Sequence, residues 1–159
     1  MPKSQMKLPL TSGKREARTQ FAALCFKSVK RKQKTRVLLI SSRRSGRWVI
    51  PKGWPMNGKT PAQSALREAY EEAGVRGRPI NQCVGHFSYK KRISDKSSVL
   101  CIVAVYPVKV DDILTDYPEH GARQRVWLSP SKAAERVSDP TLKPILRNFD
   151  PLKLAAMPA

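Results

Sequence analysis

Three glutamates, Glu68, Glu71 and Glu72, crowd one stretch of a chain that carries only 12 acidic residues against 31 basic ones. The stretch runs from Gly53 to Val75 and reads GWPMNGKTPAQSALREAYEEAGV. Thr60 is a good helix N-cap, and Pro61 suits the first helical position because its missing N–H costs nothing there. Gln63 follows where a capping box wants it. Ala62, Ala65, Leu66, Ala69 and Ala73 recur at three- and four-residue steps and form one apolar stripe. Gly74 can take the left-handed conformation that closes a helix. The spacing therefore predicts a helix over Pro61–Ala73. On that helix Glu68 is i,i+3 to Glu71 and i,i+4 to Glu72, so the three carboxylates share a face. Like charges so placed destabilise the helix, and a bound divalent cation reverses that sign. Hard oxygen ligands suit Mg2+, with Mn2+ as the alternative. A solvated acidic face, with Arg67 paired to Glu71, is the other reading of the same spacing.

The stretch also resembles the motif of the Nudix hydrolases: Gly, five residues, Glu, seven residues, then Arg-Glu-aliphatic-x-Glu-Glu-x-Gly-aliphatic. Gly53, Arg67, Glu68, Ala69, Glu71, Glu72, Gly74 and Val75 fall in register. Lys59 departs, standing where the first Glu is expected. The resemblance implies an α/β protein, a Nudix-type α/β/α sandwich with a mixed β-sheet. It implies hydrolysis of a phosphoanhydride by water with a divalent metal. By motif position Glu68 and Glu72 are metal ligands, backbone oxygens near Lys52 and Gly53 complete the metal shell, and Glu71 is the catalytic or metal-bridging acid. Glu119 is the alternative base outside the motif. Arg67 orients the glutamates. Lys59 either changes the metal number, neutralises a substrate phosphate, or marks lost activity.

Strings outside the motif are similar to the diphosphoinositol polyphosphate phosphohydrolase branch, which also cleaves diadenosine polyphosphates. They are AALCF with a following basic residue, VLLIS with Ser-Arg, Arg47-Trp48, Gly85-x-Phe87, the G-x-R-x-R-x-W from Gly121 to Trp127, and Lys143-Pro144. The resemblance spans Arg18 to Phe149. The branch has a glycine run where this chain has Pro51-Lys52-Gly53-Trp54, which leaves the substrate open. Carried over by position, Arg18, Ser41, Ser42, Arg43, Lys90, Lys91, Arg92, Arg123 and Lys143 line a phosphate-binding cleft. Arg grips phosphate oxygens through parallel bonds and Lys acts as a point charge.

A formal net charge of +19 on 159 residues agrees with a polyanionic partner. The favoured partner is a phosphate-rich small molecule. RNA is the alternative, cleaved at its 5′ end, although only 7% aromatic residues leave little for base stacking. A catalytically weak module that merely binds polyanions is the reading from another class. No apolar run is long enough for a membrane span, and no secretory signal is visible. Cys25, Cys83 and Cys101 are scattered, with Cys25 and Cys101 in apolar runs that suit buried thiols. A reduced cytoplasmic setting and a monomer are expected. His86 and His120 stand alone and are read as non-ligands.

The chain divides into a basic arm at 1–19, a single domain at 20–150 and a tail at 151–159. Strands are expected at Phe21–Phe26, Arg36–Ser41, Arg47–Ile50, Asn81–Tyr89, Ser97–Val108 and Gln124–Leu128. Helices are expected at Pro130–Val137 and Pro140–Phe149. Basic loops are expected at Ser28–Lys34 and Lys90–Lys96, an Arg-rich turn at Ser42–Gly46, a turn at Arg76–Pro79, and an acidic irregular loop at Asp111–Gly121. This order suggests a mixed sheet covered by helices on both faces.

Overall fold

The computed structural model describes residues 6–8, 17–29 and 34–155. Its elements in chain order are β1 (Met6–Leu8), β2 (Ala17–Val29), β3 (Lys34–Ser41), β4 (Trp48–Val49), β5 (Lys52–Gly53), α1 (Pro61–Ala73), β6 (Val75–Pro79), β7 (Gly85–Ser94), β8 (Ser97–Ile113), β9 (Arg125–Leu128), α2 (Pro130–Arg136) and α3 (Lys143–Arg147). All the strands belong to one mixed sheet. At its centre β2 runs parallel to β8, from Arg18 opposite Cys101 to Phe26 opposite Lys109. The other edge of β2 is shared in turn by three antiparallel partners. β1 takes Ala17–Thr19, β5 takes Phe21 and Ala22, and β3 takes Phe26–Val29. β7 and β6 cover successive parts of the far edge of β8, while β9 and β4 pair with β3.

Side chains alternate across a strand, and both faces of this sheet are buried. Ala22, Leu24 and Phe26 point to one face, with Val37, Leu39, Cys101, Val103 and Val105, and pack under Ala133, Ala134, Leu142, Leu146 and Phe149. Phe21, Ala23 and Cys25 point to the other, with Leu38, Ile40, Ala104 and Val108, and pack under Ala65, Ala69 and Ala73 of α1. The result is the expected α/β/α sandwich. The alanine stripe lets α1 lie close on the sheet, which matters for the carboxylates it carries.

The ends of α1 follow from its caps. The Thr60 hydroxyl accepts from the Gln63 N–H at 3.2 Å, and the Gln63 side chain accepts from the Thr60 N–H at 2.9 Å. Gly74 adopts φ 68° and its N–H reaches the Tyr70 carbonyl at 3.0 Å. A Cβ at Gly74 would meet the Tyr117 ring. Arg125 donates to the carbonyls of Ala73 at 2.9 Å and Leu114 at 2.8 Å while its guanidinium lies over Tyr117. One arginine thus ties the end of the helix to the loop after β8.

Several boundaries differ from the sequence expectation, and pairing explains most of them. β2 extends beyond Phe21–Phe26 in both directions because β8, β1 and β3 supply partners for its polar ends. Arg76–Pro79 is part of strand β6 rather than a turn, since the edge of β8 takes it up. Lys90–Ser94 is strand, so only Asp95 and Lys96 turn the hairpin. Strand β7 begins at Gly85, not Asn81. β8 runs to Ile113, and Tyr117 in the following loop is buried. The last helix is confined to Lys143–Arg147. Pro151–Lys153 is a 3-10 turn capped by the Asp150 carboxylate, with Pro151 buried, so the tail expected to be loose is packed at its start. In the arm, Met6–Leu8 joins the sheet. The rest of the arm outside Ala17–Thr19, positions 30–33 of the basic loop and positions 156–159 lie outside the described residues.

Gly74→Ala forces a Cβ into a left-handed residue and against Tyr117, so it should cost about 2 kcal/mol or more. Urea denaturation measures it; an unchanged midpoint would contradict this account of the helix end.

Candidate active site

Close packing of α1 brings Glu68 against the backbone of β5. Glu68 is 1% exposed, and a Cβ built on Gly53 would fall on its carboxylate. Gly53 is required here for space rather than for backbone conformation. One turn on, the Glu72 carboxylate accepts the Lys52 N–H at 3.4 Å and faces an Arg123 nitrogen at 3.8 Å. Glu71 pairs with Arg67 at 3.6 Å. The loop after β8 is tied to the same helix, the Glu119 N–H donating to the Glu71 carbonyl at 3.0 Å.

Arg123 organises this corner. It is 13% exposed and donates to Glu119 at 3.1 Å and to the Ser41 carbonyl at 3.2 Å, besides facing Glu72. The Ser41 hydroxyl in turn accepts the Gln124 N–H at 2.8 Å. Burial pushes the Glu72 carboxyl up to about 8, and the nearby Glu68 adds to the effect against the pull of Arg123 and Lys52. Burial also lowers Lys52 from the usual ammonium range, although Glu72 and Asp139 oppose this.

Glu72 opens into a cleft of about 660 Å³. The turn after β3 forms one rim with Ser42, Arg43, Arg44 and Arg47, and the β7 strand forms another with Lys90, Lys91, Arg92 and Ile93. Lys52, Gln20 and Tyr89 line it as well, with Ser138 and Asp139 from the segment after α2. The Tyr89 hydroxyl donates to Gln20 at 2.6 Å, and Gln20 is 2% exposed. A smaller cavity of about 440 Å³, between Gln82–Val84 and Pro144–Leu154, has no glutamate in its lining.

Of the residues expected to contact phosphate, Ser42, Arg43, Lys90, Lys91, Arg92 and Arg123 line the cleft, together with Lys52 and Glu72. Three others do not. Arg18 lies half-buried on β2 between β1 and β8. Ser41 spends its hydroxyl and carbonyl on Gln124 and Arg123. Lys143 donates to the carbonyls of Val137 at 2.6 Å and Ala134 at 3.0 Å, so its ammonium holds the end of α2. Lys59 is half-exposed in the turn before α1 and is also outside the lining. Sequence reasoning missed Arg44, Arg47, Gln20, Tyr89 and Asp139. Arg44 belongs to the Arg-rich turn already singled out, Arg47 opens the strand expected after it, and Gln20 is a polar residue beside an apolar strand run. Asp139 carries no sequence signal.

The donors fit a hard divalent cation in kind: two carboxylates, Glu68 and Glu72, of which burial, and then the neighbouring Glu68, pushes Glu72 up to about 8. Among the described residues no three His, Cys, Asp or Glu side chains form a ready cage. The two histidines point elsewhere, His86 toward Cys83 and His120 toward Asp116.

The family model described as NUDIX domain matches residues 18–149. Nudix hydrolase 16, mitochondrial, from Arabidopsis thaliana is 39% identical over 113 residues, covering 69% of this chain and 62% of that protein. Diphosphoinositol polyphosphate phosphohydrolase 2 from Homo sapiens is 32% identical over 142 residues, covering 87% of this chain and 72% of the relative. The match thus spans less than two thirds of the plant relative's length. Among solved structures, a C. elegans Ap4A hydrolase binary complex is similar with a TM-score of 0.59 at 19% identity, over 81% of this chain and 92% of that one. The MutT protein from Methanosarcina mazei Go1 is similar with a TM-score of 0.62 at 19% identity, over 86% and 95%. At such identity the two structures share the fold.

Glu72 gives the metal-free protein a pH dependence of definite sign. Its carboxyl titrates near 4.5 unfolded and about 8 folded. Between those values the folded state keeps a proton that the unfolded state has released, so stability falls as pH rises through this window. Urea midpoints in chelator should therefore drop between about pH 5 and pH 8.5, and Glu72→Gln should remove much of the drop. Equal slopes in the two proteins would show that Glu72 is not the strained group.

Proposed function

Since the chain belongs to the Nudix hydrolase family, we propose that it hydrolyses a phosphoanhydride bond in a highly phosphorylated small molecule, with Mg2+ or Mn2+ as cofactor. Diphosphoinositol polyphosphate and diadenosine polyphosphate are the favoured substrates. The observation that carries this is the joining of two unlike environments. The buried carboxylates of α1 open, through Glu72, into a cleft whose rims hold six cations: Arg43, Arg44, Arg47, Lys90, Lys91 and Arg92. Such a cleft concentrates polyanions, and the α1 carboxylates supply a place in it that needs a counter-ion. The similarity to a human diphosphoinositol polyphosphate phosphohydrolase over 87% of this chain supports the substrate class.

In this reading Glu68 and Glu72 would hold the divalent cation, with backbone oxygens near Lys52 and Gly53 assigned by motif position to complete its shell. The cation supplies Lewis-acid stabilisation of phosphoryl charge. The rim arginines and lysines take the outer phosphates and fix the chain across the cleft. Glu71 is assigned the proton of the attacking water. Its side chain is half-buried on the carboxylate face of α1, with Arg67 beside it at 3.6 Å. Water oxygen bonds to phosphorus, the bridging oxygen leaves with its electron pair on the departing phosphate, and the water proton passes to Glu71. Arg123, already engaged by Glu119, Ser41 and Glu72, positions the carboxylates.

A panel of diphosphoinositol polyphosphate, diadenosine polyphosphates and triphosphorylated RNA, read out by phosphate release, tests the assignment. Metal-dependent turnover of a small polyphosphate is expected, with kcat reduced about a hundredfold or more by Glu71→Gln. Turnover of the RNA alone would replace the substrate class, and no turnover of anything with either metal would sink the enzymatic reading.

A further inference from the structure

The dipeptide Lys52–Gly53 faces two ways. Lys52 pairs with Ala22 and Gly53 with Phe21, and directly paired residues in an antiparallel ladder put their side chains on the same face. Phe21 belongs to the face covered by α1, where Gly53 makes room for Glu68. Ala22 belongs to the opposite face, so the Lys52 side chain leaves the carboxylate side and lines the cleft. Its ammonium stands 4.9 Å from the centre of the Tyr89 ring, and that ring is pinned by the bond to buried Gln20.

Among the described residues no oxygen hydrogen-bonds the Lys52 ammonium, although Glu72 and Asp139 supply nearby negative charge. Lys52 lines the cleft, where its ammonium can offer donors to a ligand. The neighbouring cations differ. Arg123 is occupied by three oxygens, and Arg43, Arg44 and Arg92 are exposed on the rim. Lys91 lies over Trp54 and is exposed as well. Lys52 is half-buried, and a partly buried charge gains more from an anion than an exposed charge on the rim does.

We propose that the Lys52 ammonium is a substrate-contacting residue, the floor contact that grips the phosphate nearest the carboxylates and so sets how deep a phosphate chain enters the cleft. This rests on the reading of the cleft as a polyphosphate site. Its ligand class is a chain of linked phosphates, recognised through unesterified oxygens, with the rim cations holding the distal groups. The backbone of the same residue touches Glu72 through its N–H. Lys52 is thereby fixed relative to the cation-binding carboxylates by one peptide unit, which keeps the two contacts in register.

Calorimetric titration with inorganic tripolyphosphate, in chelator and without turnover, tests this independently of catalysis. Lys52→Met should weaken binding by about tenfold or more, because one charge-assisted contact is lost. Lys52→Arg should stay within about threefold of wild type, and the rim variant Arg44→Met should lose less than Lys52→Met. Thermal melts confirm that each variant is folded, and Lys52→Gln carries the same comparison should the Met variant misfold. Lys52→Met or Lys52→Gln binding as tightly as wild type would overturn the assignment of Lys52 alone. Absence of tripolyphosphate binding by the wild type would overturn the polyphosphate reading of the whole cleft, and Lys52 with it.

Discussion

The carboxylate of Glu68 fills the space where any residue but glycine at position 53 would put its side chain. The rest of the site depends on that contact. Alanines at 62, 65, 69 and 73 bring α1 down on the sheet, and the capping box and Gly74 fix where the helix starts and stops. With the helix so placed, Glu68 is driven into backbone, and Glu72 is carried to the Lys52 N–H and the mouth of the cleft. Burying two like charges a helical turn apart is unfavourable, and the raised titration of Glu72 is the physical record of that strain. A helix designed only for stability would not carry this pair. A binding site for a divalent cation would.

Glu68 is packed on the α1 face of the sheet, while Lys52, Tyr89 and Gln20 line the cleft with Glu72, Asp139 and the cationic rims around them. β5, only two residues long, joins the two sides. Arg123 crosses between the acidic corner and the end of β3, and Arg125 anchors the end of α1. The two arginines of that segment thus act within the protein, whereas those of the turn after β3 face the cleft. Counting basic residues in the sequence cannot separate these groups, because the difference lies in which carbonyls and carboxylates the fold brings within reach.

Local physics made α1 legible: its cap, stripe and stop are all within fifteen or so residues and need no distant partner. The three-layer architecture also followed, since buried strands alternating with amphipathic helices leave few other arrangements. The strand ends were not legible. Arg76–Pro79 and Lys90–Ser94 are polar, and they become strand only because β8 offers them an edge. Lys143 illustrates the same limit at the site. Position and charge pointed to phosphate, but the end of α2 presents three carbonyls to its ammonium first. Asp139 and Tyr89 enter the cleft through tertiary structure alone. Lys59, the one departure from the family motif, is not among the residues that line the cleft.

The central claim is that Glu72, crowded beside Glu68 and partly protonated near neutrality, becomes an ionised ligand when a divalent cation enters. Calorimetric titration of Mn2+ at about pH 7, repeated in buffers of different ionisation heat, counts the protons released. The account predicts about one proton released per ion bound by the wild type, and much less from Glu72→Gln or near pH 9.5, where the carboxyl is already ionised. Binding without proton release at pH 7, or no binding at all, would contradict it.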